Sequence, residues 1–489
     1  MKIISWTLAI LLVHLGHLNA QKVLSQKKLM KDYGYVEKLI TAHPDPFTHI
    51  SEAVFKAKVD SIRSTLTTEH TVLEFYKKVA ATVALIKDGH SSVSMPKDWL
   101  KDQRKKHGVF PYEMHLTNDD ELYILKNHGV DDIPLGSKVI AINGMNLDSF
   151  LRVVDPYISY ELHRFRNTQV DSEFEFYLYL VFGKSSGTEI TYFAADTVNT
   201  VVENIPYKAW KQSSEDQREN RIEKILEGKP YEYSKVAPGI GVINIFAFMT
   251  KDLRNYKYFL ARTFKEIAKD SIHSLIIDVR GNFGGWPRMS SHLLHYISNT
   301  YYKTMAKSSV KISQPYRDYF YNSSPSLRQW TGVHVNDEHS LDIQSILRNK
   351  LNTYVDEEGL FNEPPEVKPN EYTGACYLLI NRDSYSAASS FAATFQCYAM
   401  GTIIGEETGG TKIFRANSFS EKLSRSKLSV SISTTKLYTT CYSDKVEGVH
   451  PHIEFTPNIF GLIADIDTQL QFTMNIINKV QKKKAALQD

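Results

Sequence analysis

Two stretches of the sequence combine a polar side chain with turn residues in a way that suits acyl-transfer chemistry. In YSAAS, residues 385–389, Ser386 stands between an apolar strand and the start of a helix. The partial positive charge at a helix N-terminus favours a developing negative charge, so this hydroxyl could attack a carbonyl carbon. The alternative is that Ser386 only caps the helix.

In KDGHSS, residues 87–92, His90 directly follows Gly89, which suits the C-terminal cap of a helix. The pKa of an imidazole matches general-base work near neutral pH. The alternative is a structural or surface histidine.

A third stretch, DVRGNFGG at residues 278–285, follows an apolar strand and contains Gly284 and Gly285. Glycines allow backbone N–H groups to converge on an anion because no Cβ blocks the approach. The stretch could therefore bind an oxyanion, or it could be only a tight turn.

Two other patterns carry less weight. GKSSG, residues 183–187, matches the G-x-S-x-G pattern of esterases, which needs a strand before it and a helix after it. The following TEITYFAA predicts a strand, so we expect only a turn there. His450 and His452 flank Pro451 without an evident third ligand, so we predict no metal site.

The chain around these stretches divides into regions of different pattern. Apolar residues recur at steps of three and four before Gly89, and predict an N-terminal helical domain over residues 21–102. Residues 103–206 predict a β-rich domain of short strands, one of them FEFYLYLVF. Strands and helices alternate over residues 207–489 and predict an α/β core with a polar insertion around 310–370.

The N-terminal residues, the net charge and the cysteine content indicate where the protein acts and which partners it has. Residues 1–20 combine Lys2, a short apolar run and Ala20, which predicts a removed signal peptide and export to a periplasmic or extracellular space. The net charge is +3 and no basic run alternates with aromatic residues, so no nucleic-acid partner is expected. No later segment predicts a membrane span. Three scattered cysteines argue against a disulfide framework and favour buried thiols.

Taken together, the motifs resemble those of the tail-specific (C-terminal processing) serine peptidases. They occur in that family's order: DGH (88–90), DVRGNFGG (278–285), YSAAS (385–389), GEETGG (405–410) and GVHPHI (448–453). Between the first two, IPLGSKVIAINGMNLDSF resembles the closing part of a PDZ domain, although Ser137 replaces the usual Asp. The resemblance implies a ClpP/crotonase-like α/β core with a PDZ-like β-rich domain, a polypeptide substrate and no cofactor.

Carried over residue by residue, the resemblance implies that Ser386 is the nucleophile. The N–H of Ala387, with that of Gly284 or Gly285, would then form the oxyanion hole. The DGH motif is similar to the tricorn-core branch of the family, which implies that His90 is the general base. The resemblance also implies an acid within SDKVEG, either Asp444 or Glu447, with Asp88 as a weaker candidate.

Several alternatives stay open at this stage. Other members of the family use a Ser–Lys dyad, and Lys412 lies one residue beyond the matching position. Ser389 stands where the family has Glu, and Thr411 where it has Lys, so the chain could be an inactive relative that only binds peptides. An esterase or another acyl hydrolase is a third possibility. The sequence leaves the oligomeric state, the natural substrate and the cleavage preference open.

Overall fold

The computed structural model describes residues 23–129, 133–216, 220–298, 300–323, 343–359, 361–362 and 372–487. The predicted signal peptide, residues 1–20, and much of the predicted insertion lie outside these ranges. Within them, every helix is too short or too polar to cross a bilayer.

The N-terminal region is mainly helical, as predicted. Its elements are β1 Val23–Leu24, α1 Gln26–Ile40, α2 Glu52–Ser64, β2 His70–Thr71, α3 Val72–Ala84, β3 Ser92–Ser94 and α4 Trp99–His107. Helix α3 begins with a capping box in which Thr71 and Glu74 satisfy each other's backbone N–H groups. Its periodic apolar residues are buried, as the spacing predicts. The helix ends at Ala84 with Leu85 as its C-cap, so the prediction that Gly89 caps this helix is wrong.

The middle region combines a five-strand path with three helices. Its elements are β4 Tyr112–Leu116, β5 Leu122–Asn127, β6 Lys138–Ile142, β7 Met145–Asn146, α5 Leu147–Val154, a 3-10 turn Asp155–Tyr157, α6 His163–Ser172, α7 Phe174–Phe182, β8 Gly187–Phe193 and β9 Thr197–Glu203. The sheet has the order β4-β5-β6-β8-β9, and β7 also pairs with β6.

The strand predicted for FEFYLYLVF is wrong, because these residues form helix α7. Nearly the whole segment is buried, including Phe174, Phe176 and Leu178. A continuous apolar run has no periodicity to separate a strand from a buried helix, and tertiary packing decides. The GKSSG turn consequently joins a helix to β8, not two strands, and still lacks the strand-to-helix setting that the esterase pattern needs.

The C-terminal region is the largest and contains the α/β core. Its elements are α8 Tyr207–Asp216, α9 Asn220–Glu227, β10 Tyr231–Ala237, β11 Ile240–Ile245, α10 Leu253–Lys269, β12 Ser274–Asp278, α11 Pro287–Ile297, β13 Tyr302–Lys303, β14 Met305–Ile312, α12 Gln314–Ser323, α13 Ile343–Arg348, β15 Thr353–Glu358, β16 Phe361–Asn362, β17 Ala375–Ile380, α14 Ala387–Cys397, β18 Thr402–Gly405, β19 Ile413–Ala416, β20 Phe419–Lys422, β21 Ser429–Ile432, β22 Thr435–Thr439, β23 Ile453–Glu454, α15 Ile459–Ile463 and α16 Thr468–Ala485.

One sheet of this region organises the core, with the order β10-β11-β12-β17-β18-β23. Strands β11, β12, β17, β18 and β23 run parallel, and only β10 is antiparallel to its neighbour. Neighbouring parallel strands end at the same edge, so the loops after β12 and β17 meet there. The predicted α/β core with helical and β-rich regions is confirmed, while the domain boundaries stay a prediction.

Two smaller sheets attach other parts of the chain to this core. One has the order β15-β14-β22-β19, so the described parts of the predicted insertion include regular strands that pair with the core region. The other has the order β20-β21-β3. There Ser92–Ser94 pairs with Ser429–Ser431, which fastens the segment after the DGH motif to the C-terminal region.

The expectation of free thiols is wrong for two of the three cysteines. Cys397 and Cys441 form a disulfide with their Cα atoms 5.7 Å apart, whereas Cys376 is free and buried. Cys397 ends α14 and Cys441 follows β22, so the bridge depends on how two distant elements pack. Spacing along the chain could not reveal it.

Candidate active site

Ser386 lies at the turn between the loop after β17 and the first turn of α14. Its backbone has φ 54° and ψ −118°, a conformation that costs energy for a residue with a Cβ. The side chain makes no capping hydrogen bond. The capping interpretation is therefore wrong, and the strained turn presents the hydroxyl outside the helix.

The other serines of this stretch have structural hydrogen bonds. Ser384 Oγ donates to the carbonyl of Val279 over 2.8 Å, and Ser389 Oγ donates to the carbonyl of Ser384 over 2.8 Å. Ser390 Oγ donates to the carbonyl of Ser386 over 3.3 Å. Among the described serines of this stretch, only Ser386 has a hydroxyl that makes no hydrogen bond of this kind.

The glycine loop after β12 packs directly on this turn. Gly284 has φ 101°, and a Cβ there would stand 2.6 Å from Ser386 Cβ and 2.8 Å from the backbone nitrogen of Ala387. Only glycine allows this approach. The loop and the first residue of α14 thus form one wall beside the serine, as the predicted oxyanion hole requires.

The backbone donors of this wall are not equivalent. The N–H of Gly284 donates to Asn282 Oδ1 over 2.8 Å, so it already has an acceptor. Within the described residues, the N–H groups of Gly285 and Ala387 have no acceptor. This favours Gly285 over Gly284 as the partner of Ala387.

Asn282 is a supporting residue that sequence reasoning did not single out. It is buried, and its Nδ2 donates to the carbonyl of Ile245 over 2.8 Å while its Oδ1 holds Gly284. Its own carbonyl accepts the N–H of Tyr385 over 2.9 Å. The amide therefore links the glycine loop, the central sheet and the nucleophile turn, and its place in RGNFGG was the available signal.

His90 lies on the same side of the core, although it comes from the N-terminal region. Its carbonyl accepts Ser418 Oγ over 2.9 Å, and Ser433 N–H donates to Ser91 Oγ over 3.1 Å. The His90 ring stacks on Tyr385 with centroids 4.7 Å apart. The fold therefore brings the predicted base against the residue that immediately precedes the predicted nucleophile.

The two ring nitrogens of His90 differ in their surroundings. Nδ1 lies 3.0 Å from the Tyr385 hydroxyl. Nε2 is buried and has no hydrogen-bond partner among the described residues, so the bond between Ser386 and His90 is not formed here. Such bonds are often long without substrate and tighten on binding. Nε2 is thus the nitrogen left for the serine.

Glycine is required between Asp88 and His90 for a packing reason. A Cβ on Gly89 would stand 2.4 Å from the Tyr385 hydroxyl and 2.9 Å from Glu161 Oε2. Its N–H donates to the same Glu161 oxygen over 3.1 Å. The glycine of DGH therefore makes room for two polar groups beside the base.

Asp88 is buried and lies near His90 without bonding its ring. Its oxygens accept His43 Nε2 over 3.3 Å and the His90 backbone N–H over 3.0 Å, while its Oδ1 is 3.9 Å from His90 Nδ1. Burial opposes ionisation, but His43, His90 and Ser91 together hold the pKa of Asp88 well below its usual value. The aspartate is a fixed negative charge beside the imidazole.

Glu161, from the loop before α6, is the carboxyl group that sequence reasoning missed. Its Oε2 accepts the Tyr385 hydroxyl over 3.2 Å. Burial and the nearby charge of Asp88 raise the pKa of Glu161 well above its usual value, although the Gly89 N–H and Arg415 act in the opposite direction. No motif marks this residue, and only the packing of the middle region on the core brings it here.

Burial also lowers the pKa of His90 below its usual value, and Asp88 partly offsets that effect. A lowered pKa keeps the imidazole neutral, the form that accepts a proton. This suits a general base.

The two acids predicted in SDKVEG lie elsewhere. Glu447 Oε1 is 3.3 Å from Lys412 Nζ and accepts Ser443 Oγ over 2.8 Å, and Asp444 is exposed. In the part of the chain that the structure describes, neither acid has a hydrogen bond or ion pair with His90. Their assignment stays a prediction, and Asp88 and Glu161 are the carboxyl groups beside His90.

Asp88, His90 and Glu161 also form a set that could hold a metal ion, because one ligand atom of each lies within 4.8 Å of the others. The Tyr385 hydroxyl, however, lies within 3.0 Å of His90 Nδ1 and 3.2 Å of Glu161 Oε2. An ion bound there would have to displace this hydroxyl. The set is better explained as a hydrogen-bonded cluster.

Comparison with known proteins agrees with this geometry. Residues 239–455 match the model of peptidase family S41. The structure of mature CPAF complexed with lactacystin is 15% identical, with a TM-score of 0.62 over 94% of this chain and 99% of that chain. The crystal structure of mature CPAF is 13% identical, with a TM-score of 0.60 over 90% of this chain and 94% of that chain. At these identities the likeness shows the fold alone.

No curated protein sequence matches the chain. The match shows that the core region, residues 239–455, carries a peptidase family S41 domain, in agreement with the ordered motifs and with the serine beside its glycine loop.

Proposed function

We propose that the protein is an exported endopeptidase in which Ser386 is the nucleophile and His90 the general base. The observation that carries this proposal is the meeting of three parts at one edge of the sheet. These are a serine on a strained turn, two unengaged backbone N–H groups, and an imidazole stacked on the residue before the serine.

The reaction would proceed by acyl transfer. His90 Nε2 takes the proton of Ser386 as Oγ attacks the scissile carbonyl carbon, and the N–H groups of Gly285 and Ala387 hold the resulting oxyanion. The C–N bond then breaks, and His90 returns the proton to the leaving amine. Water hydrolyses the acyl-enzyme with the same base. Removing one oxyanion donor typically costs about 2.7–4 kcal/mol of transition-state stabilisation.

Export is supported by the disulfide as well as by the predicted signal peptide. Disulfides persist in oxidising compartments and are rare in the cytosol. The Cys397–Cys441 bridge therefore fits a periplasmic or extracellular site of action. Measuring the redox state of these cysteines and the N-terminus of protein recovered from cells would test the localisation directly.

The second candidate function is peptide binding without catalysis. It is favoured by the open Ser386–His90 contact and by Ser389 and Thr411, which replace the family's usual residues. A fluorophosphonate probe separates the two functions, because it reacts only with an activated serine. We expect mass spectrometry to place the adduct on Ser386, and to find none in Ser386→Ala. Folded protein that resists the probe would favour the binding function.

Ser185→Ala is the matched control for this experiment. Ser185 is the central serine of the GKSSG pattern and is exposed, so its loss should leave labelling unchanged. Labelling that disappears in Ser185→Ala would instead support an esterase site.

The Ser–Lys scheme is tested by comparing His90→Ala with Lys412→Ala on a casein-type substrate. Lys412 is paired with Glu447 and has no hydrogen bond with Ser386 among the described residues. We therefore expect the histidine variant to lose activity and the lysine variant to retain it. Loss in the lysine variant alone would overturn the assignment of the base.

A further inference from the structure

The hydroxyl of Tyr385 connects His90 to the carboxyl group of Glu161. Because it has a single proton, it can donate to only one of them. A neutral phenol has one proton to donate and an oxygen that accepts. Tyr385 is buried, and its burial together with Glu161 and Asp88 raises the phenol pKa well above its usual value, so the proton stays on the oxygen. This oxygen lies 3.0 Å from His90 Nδ1 and 3.2 Å from Glu161 Oε2.

Glu161 Oε2 must be the acceptor in this chain of bonds. The backbone N–H of Gly89 already donates to the same oxygen over 3.1 Å, so Oε2 is assigned as the carbonyl oxygen of the carboxyl group, and the proton of its neutral form to Oε1. Tyr385 therefore donates its one proton to Glu161. Its oxygen is left to accept a hydrogen from His90 Nδ1.

We propose that Glu161, acting through the hydroxyl of Tyr385, takes the positioning role that an acid has in a Ser–His–acid triad. It holds His90 in the Nδ1–H tautomer. That tautomer leaves the lone pair on Nε2, the buried nitrogen without a partner, free for the proton of Ser386. The proposal rests on the proposed function of Ser386 and His90, and adds two positioning residues that do not touch the substrate.

During the reaction this chain of hydrogen bonds keeps its protons in place, while the charge of Asp88 favours the imidazolium. When Ser386 Oγ bonds the carbonyl carbon, its proton moves to His90 Nε2 and the ring becomes a cation. Nδ1–H continues to donate to Tyr385, and Tyr385 to Glu161, so no further proton has to move. The phenol transmits the polarisation of the carboxyl group to the imidazolium.

Asp88 does not take this role, although its charge also favours the imidazolium. Its Oδ1 is 3.9 Å from His90 Nδ1, which is too long for a hydrogen bond. Its oxygens are instead occupied by His43, Ser91 and the His90 backbone N–H. Asp88 thus anchors the loop, whereas Tyr385 touches the ring nitrogen.

The first test removes the connecting hydroxyl with Tyr385→Phe. We expect kcat on a peptide substrate to fall about tenfold to a hundredfold with KM nearly unchanged, because a wrong tautomer impairs proton transfer but not binding. Tyr302→Phe is the matched control: Tyr302 is also buried and donates to the carbonyl of Ser291 over 2.9 Å, away from this cluster. It should retain its kcat.

A structural role alone would not change the tautomer, so the second readout is ¹⁵N NMR of histidine-labelled protein. The His90 signals are assigned by their loss in His90→Ala. We expect protonated Nδ1 and unprotonated Nε2 in the unmodified protein, and a shift towards the other tautomer in Tyr385→Phe. If the unmodified protein holds its proton on Nε2, the proposal is wrong.

Glu161 provides a graded pair of variants. In Glu161→Gln the amide oxygen can still accept both the Gly89 N–H and the Tyr385 hydroxyl, so most of the kcat and the Nδ1–H tautomer should be recovered. Glu161→Ala removes the acceptor and should resemble Tyr385→Phe. If Glu161→Gln, Glu161→Ala and Tyr385→Phe all keep a kcat within about twofold of the unmodified protein, the proposal is wrong.

Failure of the proposed function has a different signature. If Ser386→Ala and His90→Ala retain activity, the assignment of nucleophile and base is wrong, whatever the Tyr385 variant does. If those two variants are inactive but Tyr385→Phe keeps the kcat and the His90 tautomer of the unmodified protein, only the proposed positioning role of Glu161 and Tyr385 is wrong.

Discussion

Two loops were expected to supply partners for the nucleophile, and they differ in how firmly the fold holds them. The DGH loop, residues 88–90, is enclosed by Glu161, Tyr385 and the pairing of β3 with β21. The SDKVEG loop, residues 443–448, has an exposed Asp444 and a Glu447 that is paired with Lys412.

The difference shows what a short motif can determine. Gly89 is required by a backbone contact, so its motif marks a fixed place in the fold. A carboxyl group can be supplied by any element that reaches the ring. The DGH loop therefore carries the proposed base, while Glu161, a residue of the middle region that no motif marks, lies beside it.

The largest effect should come from the base itself. His90→Ala removes the group that takes the serine's proton, and we expect kcat/KM to fall by about 10²–10⁴. Glu447→Ala should have a far smaller effect, because Glu447 contacts Lys412 and Ser443 and not His90. Steady-state kinetics on one peptide substrate compares the two loops. Equal losses of kcat/KM in the two variants would contradict the proposed difference between them.

Gly89→Ala should have the next largest effect. The added methyl group would meet the Tyr385 hydroxyl at 2.4 Å, so the cluster beside His90 must shift. We expect kcat to fall by at least about tenfold, since small misplacements of catalytic groups can cost as much as 10². Gly34→Ala in α1 is the control, because nothing lies within 4 Å of its added Cβ. Unchanged kcat in Gly89→Ala would show that the DGH loop is not tightly packed.

The pH profile offers a smaller but more specific test. His90 has a lowered pKa, so kcat/KM should rise with pH through a limb below the usual histidine range, as the neutral base becomes populated. In Asp88→Asn the charge that supports the imidazolium is lost, and the limb should move to still lower pH. Asp444→Asn should leave it in place. A limb that moves only in the Asp444 variant would transfer the acid's role to the SDKVEG loop.

The smallest effect on turnover is expected from the disulfide. Replacing Cys397 and Cys441 by Ala should lower the free energy of unfolding by about 2–4 kcal/mol. It should leave kcat/KM within about twofold, because the groups that contact His90 lie in other loops. Denaturant unfolding and kinetics on the same protein measure both. A large loss of kcat without a loss of stability would show that the SDKVEG loop serves catalysis after all.

Much of the fold and part of the site followed from the sequence. The spacing of apolar residues predicted α3, and the alternation of strands and helices predicted the α/β core, because burial on one face leaves a periodic pattern. Ser386, Gly285, Ala387 and His90 could be proposed as site residues because strained turns and close backbone contacts require particular residue types.

What the sequence missed depended on packing. Helix α7 was mistaken for a strand because its residues are buried on all sides, and the disulfide was missed because its cysteines are 44 positions apart. Glu161 and Tyr385 meet only when the middle region folds onto the core. Neither residue is unusual in its own neighbourhood of the chain.

The ladder between β3 and β21 bears on when activity can first arise. It joins residues 92–94 to residues 429–431. The loop that carries His90 therefore cannot be anchored until the ribosome has made most of the polypeptide. A product that ends between residues 386 and 429 would contain Ser386 but would lack the strand that anchors the loop of His90. Assembly of the proposed site therefore has to wait for the last part of the chain.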